Sequence, residues 1–194
     1  MKKLLTAILT AVIAIAAVAP LSASSSRRDL YRYNRLRDEA CEKNLHALYS
    51  LLKQYASANK GLLPVANNYD GLKSVLPANI TAAQLYCQAS RGKKPKKNND
   101  LNNKNISYIY FGGVNLNIAL KNCPKLILLC DKPDSRHCYA LLADGSVVDV
   151  KSLPGKPKIS NCQDIVKALA EAYNYPADVL ESMLVKAKEA ESAL

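Results

Sequence analysis

The residues of this chain best suited to chemistry are its thiols and aspartates. Six cysteines, Cys41, Cys87, Cys123, Cys130, Cys138 and Cys162, accompany only two histidines, and no Cys-x-x-Cys occurs. A zinc ribbon or a thioredoxin-like redox motif is therefore not expected. A cysteine nucleophile needs an imidazole within reach. His137 adjoins Cys138, but neighbours on a strand point to opposite faces and no third, orienting group suggests itself. His46, beside Leu45, reads as a surface residue. Asp131, Asp134 and Asp144 offer oxygens to a calcium ion, yet a hard cation needs six or more, and turn formation explains these aspartates better. No catalytic residue, metal or other cofactor is expected, and the chain reads as a non-enzyme.

The thiols read instead as candidates for disulfides. The chain opens with Lys2 and Lys3, continues apolar through residues 4–18, and reaches Leu21-Ser22-Ala23, the small-residue pattern at which a signal peptidase cuts. Residues 1–23 are expected to be a signal peptide; the alternative is a retained anchor, since the run is about long enough to span a bilayer. Export places the cysteines where disulfides persist, and the chain is expected to be periplasmic or secreted. Six cysteines allow fifteen pairings. Cys130 with Cys138 would join two adjacent strands. Cys41 with Cys87 would bridge distant segments and stabilise the fold by roughly 4 kcal/mol on a chain-entropy account. Cys123 and Cys162 remain by elimination, and buried free thiols are the alternative.

The formal net charge is +11, unevenly spread. Residues 91–104 carry Arg91, Lys93, Lys94, Lys96, Lys97 and Lys104 against one acid, whereas residues 161–194 carry six acids against three lysines. The basic stretch has no apolar periodicity and reads as a solvated loop. It is the candidate site for an anionic polymer such as nucleic acid, sulfated glycan or lipid headgroups, although it lacks the interleaved aromatics that stack on bases.

Several elements must position these residues. Residues 27–60 carry a drifting apolar stripe, Leu30, Tyr33, Leu36, Ala40, Leu45, Leu48, Leu52 and Tyr55, at helical steps, with Ser26 as N-cap and Gly61 as terminator. Such a helix would be roughly 48 Å long, more than one small sheet covers, so its first turns should project. A short helix is expected at residues 72–76 and another short element at 82–87. Strands are expected at 106–111 and 125–130, followed by a hairpin at 138–150. There Asp144-Gly145 suits a two-residue turn that pairs Leu141 with Val148 and puts Tyr139, Leu141, Val148 and Val150 on the face toward the long helix. Two amphipathic helices should follow, the first opened by a Ser160/Gln163 capping box and the second led by Pro176.

A long N-terminal helix, an irregular stretch and a small antiparallel meander resemble the layout of type II secretion pseudopilins and type IV pilins. The segments CEKNLHALYSLLKQYASANKGLLP (41–64), SYIYFGG (107–113), CDKPDSRH (130–137) and LLADGSVV (141–148) are similar, in order, to motifs of the pseudopilin-like proteins of Verrucomicrobia and Planctomycetes. The resemblance implies an α+β fold with the long helix packed on the sheet. It also implies a non-enzymatic structural or interaction role at the cell envelope, with secretion or pilus-like components as protein partners, and membrane contact only if the leader is retained. The chain departs from that family in lacking a Gly cleavage site with a Phe-Thr-Leu-Ile-Glu-type start, and in having Ser146 where a His is usual. The expected organisation is a signal peptide (1–23), a pseudopilin-like domain (24–152) and a C-terminal helical extension (153–194). The runner-up is a soluble polyanion binder working through residues 91–104.

Overall fold

The computed structural model describes residues 27–76, 82–88, 90 and 101–194; the expected signal peptide and most of the basic loop lie outside them. The fold is α+β. Helix α1 (Arg27–Ala58) buries Cys41, Leu45, Leu48, Leu52 and Ala56, steps of three and four that keep one face inward. It stops where Lys60 and Gly61 turn left-handed, at φ 54° and 85°, and the Gly61 amide donates back to the Ala56 carbonyl at 2.7 Å. A Cβ at Gly61 would lie 2.5 Å from Asn117 Nδ2, so the stop also needs the absence of a side chain.

A short α2 (Asn68–Leu72) forms slightly earlier than the sequence suggested, and a single 3-10 turn (Ala82–Leu85) leads to Cys87. Strands β1 (Tyr108–Tyr110), β2 (Ile127–Asp131), β3 (Tyr139–Leu142) and β4 (Val147–Asp149) pair antiparallel in that order. Helix α3 (Leu116–Asn122), not anticipated from the sequence, sits between β1 and β2; its Asn115 cap accepts from the amides of Asn117 and Ile118.

The hairpin differs from the expected register. Leu141 pairs with Val147 and Tyr139 with Asp149, one residue short of the two-residue-turn prediction. A type I′ turn needs positive φ at both central residues, and only Gly145 adopts it, at 84°. The chain instead closes a three-residue loop, with the Leu142 amide donating to the Ser146 carbonyl at 2.9 Å. Tyr139 and Leu141 keep the face turned to α1, joined there by Val147 and Asp149, while Val148 and Val150 go to the other.

That other face is also covered. Helices α4 (Cys162–Tyr173) and α5 (Ala177–Ser192) lay Ile165, Val166, Leu169, Met183, Ala187 and Ala190 into the same core as the strands. The Tyr175 hydroxyl accepts from the Ile127 amide at 3.1 Å and donates to the Lys125 carbonyl, tying the helix pair to the edge of β2. The cap of α4 is Asn161 with Asp164, rather than the expected Ser160 with Gln163. Helices α4 and α5 thus share one core with the strands.

Candidate functional site

Ridge positions on α1 build the site first. Arg37, Cys41 and Asn44 lie on one side of the helix and meet the 3-10 turn and the residues after it: the Arg37 guanidinium donates to the Gln88 carbonyl, and Asn44 Nδ2 donates to the Ala83 carbonyl at 3.3 Å. The Ser107 amide donates to the Leu85 carbonyl at 2.9 Å and fixes the same segment to the start of β1. Between these anchors Cys87 is carried against the helix, its Sγ 2.7 Å from Cys41 Sγ.

The loop from β2 to β3 brings the third member. Lys151 Nζ donates to the Ser135 carbonyl at 2.6 Å, and Arg136 reaches Asn34 on α1, so His137 is pressed toward the two sulfurs. His137 Nε2 lies 3.5 Å from Cys87 Sγ and 3.6 Å from an Asp38 carboxylate oxygen, and its ring rests on Tyr139 at 4.3 Å between centroids. Asp131, at the end of β2, takes Nδ1 at 2.8 Å, and the same Oδ2 accepts from the Tyr139 amide at 2.9 Å. Through one oxygen Asp131 thus meets both the imidazole and the Tyr139 amide, which fixes the orientation of the ring. Burial alone would lower the His137 pKa; the bond to Asp131 and the nearby Cys41 outweigh it and push it up to about 9. Burial pushes the Asp131 carboxyl up, against the pull of the His137 bond.

The centre is nearly dry: Asp131 and Cys87 are 0% exposed, Cys41 1% and His137 7%. Cys41, Cys87 and His137 present donor atoms within 4.8 Å of one another, the only such group among the described residues. Two chemistries are open to two sulfurs and an imidazole so arranged. One is capture of a soft metal ion, with His137 oriented by Asp131 as ligating histidines generally are. The other is sulfur–sulfur bond formation with the imidazole as proton acceptor.

The other expected pairs are not brought together in the same way. Cys130 stands opposite Ala140, so Cys138 is its diagonal neighbour on the same face, where Cβ atoms are separated by more than a disulfide spans. Burial raises the Cys130 thiol pKa well above its usual value, with Cys162 and Cys138 adding to the effect, so these three share the α4 side of the sheet. Cys123 lies apart, in an open hollow of about 330 Å³ between α3 and α5 whose cation, Lys186, is engaged by the Gly112 carbonyl at 2.7 Å. No disulfide is formed among the described residues.

The three aspartates do not converge. Asp131 is buried beneath His137, Asp134 is exposed, and Asp144 at the far end of the sheet is held by Lys125 Nζ at 2.7 Å. Of the basic-loop residues only Lys104 is among those described, and it is exposed; Arg91, Lys93, Lys94, Lys96 and Lys97 lie outside them. His46 is on the surface. The sequence reading weighed His137 only against Cys138, rejected that pair, and did not find Cys41, Cys87 or Asp131 as its neighbours. The signal that could have found them was the spacing of Asp131 and His137 across a tight loop, opposite a helix that carries Cys41.

No protein-family model matches the chain, and neither the curated proteins nor the solved structures compared with it give a match. No helix among the described residues is long and apolar enough to cross a membrane.

Proposed function

We propose that this protein is a non-enzymatic structural and interaction module of the cell envelope, exported through its leader and resembling a secretion-system pseudopilin. The observation that carries the reading is the exposed apolar face at the start of α1. From Cys41 onward the helix is embedded in the sheet, but Leu30, Tyr31, Tyr33 and Leu36 are 51%, 72%, 57% and 52% exposed. Two leucines and two tyrosines exposed within seven helical residues make an apolar, Tyr-rich contact surface. Arg37 lies over the Tyr33 ring at 5.4 Å and stiffens the end of that surface.

The buried thiol–imidazole–carboxylate group supports the non-enzymatic half of the reading. None of its residues lines the hollow between α3 and α5, where the cation Lys186 is already engaged by the Gly112 carbonyl. The partner is expected to be another envelope protein.

Photo-cross-linking residues placed singly at positions 30, 33 and 36, with positions 50 and 54 as exposed controls on the embedded part, test this in producing cells. The expected result is a discrete adduct with an envelope protein from the first three positions only. Equal adducts along the whole helix, or none at the first turns, would contradict it.

A further inference from the structure

The interaction surface leaves the Cys41, Cys87, His137 and Asp131 group without a role. We propose that Cys41 and Cys87 close into a disulfide in the exported chain, with His137, oriented by Asp131, as the proton acceptor that makes the attacking thiolate. The bond would clasp the long helix to the segment that precedes β1. The inference rests on the export reading for its oxidant, which is an external disulfide of the thiol–disulfide exchange class.

Geometry favours this over a metal site. The two sulfurs stand 2.7 Å apart although 46 positions separate them in sequence. In a tetrahedral thiolate site with metal–sulfur bonds of about 2.3 Å, two sulfurs would be about 3.8 Å apart. The pair is thus roughly 1 Å too close to share an ion, and a short movement from bonding. The imidazole is set for proton transfer, because Asp131 holds Nδ1 and leaves Nε2 as the atom facing Cys87. Its elevated pKa of about 9 agrees with a proton residing on the ring beside a thiolate.

The steps balance without any other reagent. The Cys87 thiol gives its proton to His137 Nε2, and the thiolate attacks one sulfur of the external disulfide, releasing the other as a thiolate. That external thiolate takes the proton from His137, the freed Nε2 accepts the Cys41 proton, and the Cys41 thiolate attacks the Cys87 sulfur of the mixed disulfide and expels the second external thiolate, which leaves with this proton. Two protein thiols lose two electrons and two protons, and one external disulfide becomes two thiols.

The test uses the full chain, purified reduced and then placed in a mixture of reduced and oxidised glutathione, with linkages mapped on peptides under non-reducing conditions. The expected result is a single dominant link between Cys41 and Cys87. His137→Ala should form it at least tenfold more slowly near pH 7, with the deficit shrinking above pH 9 and added free imidazole restoring the rate. In urea the variant and the parent should oxidise equally, which separates proton transfer from misfolding. A different dominant pairing, an unchanged rate in His137→Ala, or a reduced chain that retains one equivalent of zinc with both thiols shielded from alkylation would overturn the proposal. A link that forms in this mixture but is missing from the chain recovered whole from producing cells under thiol-trapping conditions would uphold the pairing and count against export.

Discussion

His137 keeps its proton in nearly dry surroundings, and pH is the handle on that state. Its pKa rises from 6.5 to about 9 in the fold. Since the folded value is the higher, the protonated ring stabilises the folded chain. That contribution is whole below pH 6.5 and is lost as pH rises through 9. We expect the unfolding free energy of the reduced chain, from urea titrations, to fall across this window by an amount of order 1–3 kcal/mol. Asp131→Asn, which removes the carboxylate behind the ring, should flatten the fall. A free energy that holds or rises from pH 6.5 to 9 would mean that the imidazole is neutral in the fold. This residue-scale arrangement was the least legible part of the sequence. Asp131 and His137 belong to one loop, but Cys41 and Cys87 reach them from a helix and from a segment held by Arg37, Asn44 and Ser107, contacts that no local pattern announces.

At the scale of elements, α1 divides into a packed part and a free part, and substitution should separate them. Leu52, fully buried under the sheet, should cost about 2–5 kcal/mol when replaced by alanine. Leu36→Ala, on the exposed first turns, should stay within about 0.5 kcal/mol of the parent in chemical unfolding. A large loss in Leu36→Ala would mean that those turns are packed and are not available to a partner. The division was readable in advance because helix length is simple arithmetic, and a helix of this length outruns a four-stranded sheet. The strands were readable from the apolar runs at Tyr108–Tyr110 and in the first four residues of β2. The hairpin register was not, because Asp-Gly serves a two-residue loop and a three-residue loop alike, and the choice depended on whether Asp144 would turn left-handed. Helix α3 escaped notice because seven residues hold too few turns to show a period, and its Asn115 cap is one asparagine among many.

For the whole molecule, the strands' buried faces require two covers. Every residue of β1 and β2 is buried, so the sheet needs α1 on one side and α4 with α5 on the other. The sequence showed the terminal helices but not their place, since amphipathic faces say that burial occurs and not against what. The result is a sheet covered on both sides, with an exposed apolar start to α1 at residues 30–36. Disulfide closure and contact with an envelope partner both require that this fold lie outside the cytoplasmic membrane. Export is therefore the claim to measure, by adding protease to intact cells and to osmotically opened cells and following the chain together with its intact mass. The account predicts protection in intact cells, digestion once the envelope is opened, and a mature mass beginning near Ser24. A chain of full length that stays protected until the cytoplasmic membrane itself is broken would contradict it.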